Sequence, residues 1–413
     1  MFKFSKYPIF IATLFFIIFM VLSIWSNIYN NSSPTVINSW RPERITNIIN
    51  FAYQNGYTWD SRHYSNIAEF GYDHVDEHQD EEYAFFPLFP LQIKLVAMIT
   101  GLAYPIATTI AGFINTILVF WLVHNFFRVY LTKYIPEQLK NLNNIFLLFV
   151  LLPFNYFYIF AYTESLFVLL MTAILTYLLH IKIVNKWFCF LPALSYMMGI
   201  TRSPGIFISL VFVFTFLQIN FAKSWADFII NCRLNWKSNL VLVISIIANI
   251  AGLLSFLYYG FLKTGNFWIS RDVQKFWGRE SSGINIFEPI YNGLFELFKQ
   301  DKCWGYCTQT YIYYYFAFLL ILICAWIFYK YFRNNIFNYN FLILSICFTV
   351  LPLTTNQLAS YNRIFAVSPI YYIIFPIFLV YYIPSRYYDL LIIFLCCLYT
   401  VFISLFSLYY WVG

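Results

Sequence analysis

The chain has 413 residues, of which 61% are hydrophobic and 10% charged, with a formal net charge of +7. A soluble domain carries about 25% charged residues, so this composition excludes a water-soluble fold of this size and makes lipid the main solvent. The basic excess does not signal nucleic acid, because Lys and Arg sit in short clusters between apolar runs, with no basic stripe or aromatic-basic motif.

Lys3 and Lys6 precede an apolar run from Tyr7 to Trp25, close to the ~20 residues needed to cross hydrocarbon. No small-residue cleavage site follows, so the run reads as an uncleaved first span with a cytoplasmic N-terminus. The polar segment from Asn27 to about Tyr83 then emerges on the far side, within a first outer loop covering 27–103. Counting Ala84 to Ala103 as a span would put Arg128, Lys133 and Lys140 outside and invert every later basic loop. Pro87, Pro90, Gln92 and Lys94 allow that segment to lie at the interface instead. Later spans are then expected at about 105–127, 144–161, 164–181, 187–201, 203–221, 239–262, 311–329, 340–356, 364–383 and 389–411. The clusters Arg128/Lys133/Lys140, Lys182/Lys186, Lys223/Arg233/Lys237, Lys330/Arg333 and Arg386 all fall inside under this topology.

The expected fold class is an all-α polytopic membrane protein of about eleven spans, organised as one integral domain over 1–413 without internal repeats. A second outer loop, 263–310, is itself basic through Lys263, Arg271, Lys275, Arg279, Lys299 and Lys302. Long loops obey the charge rule weakly, and a basic loop suits an anionic phosphate. Cys189, Cys232, Cys324, Cys347, Cys396 and Cys397 lie in or beside apolar runs, where Cys packs as a small hydrophobe. Cys303 and Cys307 share the outer sequence Cys-Trp-Gly-Tyr-Cys and form a candidate disulfide in an oxidising compartment. Asn30 and Asn31 open glycosylation sequons on the same side, with force in a eukaryotic host.

No Asp, Glu, Lys or Arg lies well inside an expected span; Glu164, Arg202, Arg363 and Asp389 fall at span ends. Ion-coupled transport generally needs ionisable groups at depth, so the pattern favours chemistry at an outer face. The richest stretch there is Trp59-Asp60-Ser61-Arg62-His63-Tyr64-Ser65-Asn66-Ile67-Ala68-Glu69-Phe70-Gly71-Tyr72. If helical, it puts Asp60, His63, Tyr64 and Ile67 on one face. A carboxylate in that place can take the proton of an acceptor hydroxyl attacking an anomeric carbon. A phosphate leaves as a stable anion, so it does not need the second carboxylic acid that a glycosidase uses. On the residues themselves the favoured reading is that Asp60 caps an interfacial helix anchored by Trp59 and Tyr64.

Asp73, His74, Asp76, Glu77, His78, Asp80, Glu81 and Glu82 contain an i, i+4 histidine pair, which raises divalent metal. No fixed ligand motif accompanies the pair, and a solvated acidic loop explains the run, so no metal is expected. Glu164 opens a span, where the helix dipole favours a carboxylate whatever its role. Arg202, between two apolar runs, needs an anion, which either Glu164 or a phosphate would supply.

The string of Trp59-Asp60, His63-Tyr64, Ile67-Ala68 and Gly71-Tyr72, followed by Glu82-Tyr83-Ala84-Phe85-Phe86-Pro87-Leu88-Phe89-Pro90-Leu91, resembles the signature of the PIG-V family. The segments Pro153 to Phe167 and Gly199-Ile200-Thr201-Arg202-Ser203-Pro204-Gly205 extend the likeness. It covers roughly residues 55–210, and the remainder by hydropathy. Members of that family add the second mannose to glycosylphosphatidylinositol precursors, and relatives occur in bacteria.

The resemblance implies a GT-C-type bundle with its active site in the first outer loop and a dolichyl- or polyprenyl-phosphate sugar as donor. It implies Asp60 as the catalytic base. Arg363, in Tyr361-Asn362-Arg363, looks like the late arginine that such enzymes place against the lipid phosphate. The sequence reading is therefore an inverting mannosyltransferase without cofactor, with His63, Tyr64, Glu164, Arg202 and Arg363 binding donor or acceptor. Expected partners are lipid-phosphate mannose, a membrane glycolipid acceptor, membrane lipids and a small accessory membrane subunit, with no nucleic acid. The expected place is a multi-pass position with the site on the non-cytoplasmic face, in the endoplasmic reticulum of a eukaryote or the plasma membrane of a bacterium. The rival readings are a GT-C transferase with another sugar or a protein or cell-wall acceptor, and a lipid or sugar transporter.

Overall fold

A computed structural model describes residues 48–72, 80–181, 189–222, 224–277, 335–351 and 361–407, with scattered positions between 10 and 21 and between 319 and 330. The described residues are helical, with no strand among them. In chain order the longer elements begin with α1 (Ile48–Asn55), α2 (Asp60–Phe70), α3 (Leu88–Thr100), α4 (Tyr104–Tyr134) and α5 (Leu142–Leu151). There follow α6 (Thr163–Leu179), α7 (Phe190–Gly199), α8 (Ile208–Asn220), α9 (Trp225–Leu234) and α10 (Trp236–Thr264). The last are α11 (Tyr339–Val350), α12 (Tyr361–Ala366), α13 (Ile370–Tyr382) and α14 (Tyr388–Ser407).

Among the described residues, four helical stretches are long and apolar enough to cross a membrane: Tyr104–Tyr134, Ser203–Asn220, Trp236–Thr264 and Ser385–Ile403. Leu88–Thr100, Thr163–Leu179, Tyr339–Val350 and Ile370–Tyr382 are shorter apolar helices. Ile247, Leu254, Tyr258 and Leu262 of α10 are exposed, an apolar outer face that suits hydrocarbon rather than water. At 13 residues, α3 is about 20 Å long, less than the ~30 Å core of a bilayer. It ends at Gly101, whose φ of 68° is the left-handed cap conformation open to glycine. Leu91, Leu95, Met98 and Ile99 are exposed on it, while Gln92 and Asn115 exchange two hydrogen bonds, at 2.8 and 2.9 Å, that fix it to α4.

The segment expected as a span over 144–161 is helical only to Leu151. Pro153 disfavours the helical conformation at Leu152, which adopts φ −56° and ψ 137°. From Leu152 to Tyr162 the chain is irregular apart from a 3-10 turn over Asn155–Tyr158, yet wholly buried, and backbone of that kind at membrane depth must find its hydrogen bonds within the protein. Thr116 donates to the carbonyl of Tyr158, Ser61 to that of Ala161 at 3.0 Å, and the Phe154 N–H to the Tyr371 hydroxyl at 3.1 Å. A Cβ at Gly112 would sit 2.9 Å from Ala161 Cα, so glycine lets α4 approach this buried segment closely. In α13, Pro376 follows a π-turn over Ile370–Ile374, a wider turn that accommodates the missing donor.

Hydrogen bonds define two ends of the bundle. At one, Lys133 donates to the Leu179 carbonyl at 2.5 Å, Ser238 to that of Ile181 at 2.8 Å, and Asn220 to Asn239 at 2.8 Å. Arg128, Lys133, Arg233 and Lys237 belong to the helix ends gathered there. At the other end meet the starts of α2 and α6, the break before Ser203, and α12.

Candidate active site

The turn leading into α2 is strained: Trp59 has φ 52° and is the positive-φ residue other than glycine among the described residues. Trp59 occupies the N-cap position without a side-chain cap, and Asp60 is the first helical residue. The Asp60 carboxylate lies in the first turn of α2, where the helix dipole favours its charge. It accepts from Arg363 Nη1 at 2.5 Å.

Arg363 lies on α12 and is 4% exposed. Its Nε donates to Glu164 Oε1 at 2.7 Å, and the same oxygen accepts from Arg202 Nη1 at 2.7 Å. Four charged side chains thus form a chain in the order Asp60, Arg363, Glu164, Arg202, with formal charges that cancel. Glu164 is fully buried in the first turn of α6, whose dipole favours its charge. The side chains at the two ends of the chain, Asp60 and Arg202, are each 21% exposed. The Arg363 guanidinium also lies over the Tyr162 ring at 4.7 Å and the Phe157 ring at 5.6 Å, an attraction worth up to ~2 kcal/mol where water is excluded.

Local sequence explains how each group is held. Helix α7 ends at Gly199, Pro204 occupies the start of a 3-10 turn over Ser203–Phe207, and Arg202 between them is extended at φ −160° and ψ 154°. The Leu88 N–H donates to the neighbouring Ile200 carbonyl at 3.1 Å, which ties α3 to this break. α2 is pinned by the Ser61 bond to Ala161 and by a 3.1 Å hydrogen bond between the Tyr64 hydroxyl and Thr163.

The structure brings Asp60, Glu164, Arg202 and Arg363 together in one hydrogen-bonded chain, with Tyr64 close enough to interact with all four charges and His63 with Asp60. His63 stacks on Phe85 with centroids 4.5 Å apart. Burial lowers its pKa below the usual value, against a raising contribution from Asp60 and with a further lowering one from Arg62. Tyr64 is buried, packed edge-on against Phe85 and Phe89, and burial raises its pKa. The Tyr64 hydroxyl, expected to contact a substrate, shares a hydrogen bond with Thr163. Of the two anions weighed for Arg202, the structure shows Glu164. Arg363, expected against a phosphate, bridges the two carboxylates in this structure.

Tyr162, Phe157, Ser61 and Thr163 were not singled out from the sequence, although Tyr162 and Thr163 directly precede Glu164. Asp73, His74, Asp76, Glu77 and His78, the Cys303/Cys307 pair, the two sequons and most of the second outer loop lie outside the described residues. Among the described residues no group of three or more His, Cys, Asp or Glu could hold a metal ion, and Glu82 is buried at a short 3-10 turn.

The family model described as Mannosyltransferase (PIG-V) matches residues 3–395. The apo oligosaccharyltransferase of Archaeoglobus fulgidus is 11% identical, over 97% of this chain and 56% of that one, with a TM-score of 0.45. The oligosaccharyltransferase of the same organism in complex with an inhibitory peptide and a dolichol-phosphate is 11% identical, over 98% and 56%, at 0.43. The chain thus spans about half the length of these solved structures. No curated protein matches the sequence.

Proposed function

Taking as premise that the chain belongs to the PIG-V mannosyltransferase family, whose model covers residues 3–395, we propose that it is a membrane mannosyltransferase working at the Asp60 site. The donor in this reading is a dolichyl- or polyprenyl-phosphate mannose, and the acceptor a membrane glycolipid. In a eukaryotic host the acceptor is a glycosylphosphatidylinositol precursor receiving its second mannose. The reading includes a GT-C-type bundle of about eleven spans with the site on the non-cytoplasmic face, and no metal or other cofactor.

The observation that carries the reading is the convergence of a partly exposed carboxylate with two guanidinium groups at one end of an apolar bundle. Asp60 accepts the acceptor hydroxyl proton as that oxygen attacks the anomeric carbon from the face opposite the phosphate. The bond from the anomeric carbon to the phosphate oxygen breaks, configuration inverts, and the lipid phosphate leaves with the bonding pair. Arg363 and Arg202 meet the charge that develops on it, as charge-assisted donors in a site where little water competes. Burial keeps His63 neutral near pH 7, which removes a competing cation beside the base.

The test is transfer by the purified protein from labelled polyprenyl-phosphate mannose to extracted lipids. Asp60→Asn should lower turnover by about 100-fold or more, the range expected for loss of a general base. A labelled product without mannose, or full turnover by Asp60→Asn, would sink the assignment.

A further inference from the structure

Arg363 is the centre of the site's charge balance. It touches both carboxylates, through Nη1 to Asp60 and Nε to Glu164, while Arg202 touches Glu164. Glu164 with its two arginines carries a formal charge of about one positive unit, and in this structure Asp60 is the anion that neutralises it. The Asp60 carboxylate is also the group proposed as base, and its Oδ2 is taken up by Arg363 Nη1, which turns the carboxylate toward the cation rather than toward an acceptor. Both demands are met if Arg363 can change partners.

We propose that Asp60 and the donor's phosphodiester are alternative anions for Arg363, so that donor binding displaces the carboxylate and frees it to act as base. The inference rests on the functional reading above and adds an order to it: donor before acceptor. Geometry supports the exchange. Glu164 is fully buried and holds Arg363 Nε, so the guanidinium stays anchored when its Nη1 contact changes. Asp60 is the more exposed partner at 21%, on the first residue of a helix entered through a strained turn. Arg202, also 21% exposed, is tied by one nitrogen to Glu164, which leaves its guanidinium fork able to take a second phosphate oxygen. Phosphate and carboxylate are acceptors of the same kind for a guanidinium. Charge conservation favours the swap, since one negative charge replaces another against the same buried cation.

The expected result is counterintuitive for a catalytic residue: removing Asp60 should tighten donor binding while abolishing transfer. In lipid nanodiscs without acceptor, Asp60→Asn should bind a short-chain polyprenyl-phosphate mannose about tenfold more tightly, equivalent to ~1.4 kcal/mol. Asp60→Ser serves the same comparison if the Asn protein folds poorly. On an Arg363→Gln background the gain from Asp60→Asn should vanish, which separates exchange at Arg363 from mere loss of a nearby negative charge. Unchanged or weaker binding by both Asp60 variants, with transfer lost, would overturn the exchange and leave the base assignment standing. Tighter binding with transfer retained would support the exchange and remove Asp60 as base. A gain that persists without Arg363 would also overturn the exchange.

Discussion

Replacing Arg363 by Gln keeps a polar side chain of moderate size but removes the cation between Asp60 and Glu164. Glu164 is fully buried, and Arg363 is 4% exposed, so little water can compensate the stranded charge. Breaking a buried pair by removing one partner costs about 3–5 kcal/mol. Arg202→Gln should cost much less, roughly 1.5 kcal/mol, the low end for a charged hydrogen bond, because Arg202 is 21% exposed and Glu164 keeps Arg363. Adding Glu164→Gln to Arg363→Gln removes the unpaired carboxylate and should recover at least half of the loss, a coupling expected for groups in one network. Unfolding free energies of the wild type and the three variants, from denaturant titration in mild detergent followed by tryptophan fluorescence, give all three values. Equal losses for the two arginine variants, or no recovery in the double variant, would refute the view that Glu164 is neutralised chiefly by Arg363.

Arg202→Lys keeps the charge but loses the planar fork, so donor affinity should fall by roughly tenfold with expression near normal, as read by donor titration in nanodiscs. His63 has a lowered pKa when folded, so below about pH 6.5 the unfolded state binds more protons and stability falls as pH falls. Denaturation midpoints between pH 7.5 and 5 should show this decline, and His63→Gln should flatten it. Gly112→Val would drive its side chain into Ala161 and should destabilise by about 1–3 kcal/mol through overpacking, measured by the same titration. A cysteine at Lys133 should label only from the cytoplasmic side; labelling from outside would move Glu164 and Arg202 to the wrong face for this chemistry.

Hydropathy and charge are local quantities, and what depends on them was legible in the sequence by itself. The lipid-solvated class follows from 61% hydrophobic residues, and the helical character follows from the requirement that membrane-buried backbone satisfy its own hydrogen bonds. Glu164, Arg202 and Arg363 stood out because a charge at the edge of an apolar run is costly without a purpose, and Asp60 stood out by its titratable and aromatic neighbours in the first outer loop. Their pairing was another matter. Asp60 and Arg363 are 303 positions apart, and opposite sign does not choose a partner; only the packing of α2, α6 and α12 against one another does. The early end of α5 and the buried irregular chain from Leu152 to Tyr162 were equally hidden, since an apolar run looks the same whether helical or not. There the tertiary structure decided, because Thr116, Ser61 and Tyr371 supply the hydrogen bonds that the missing helix would have made.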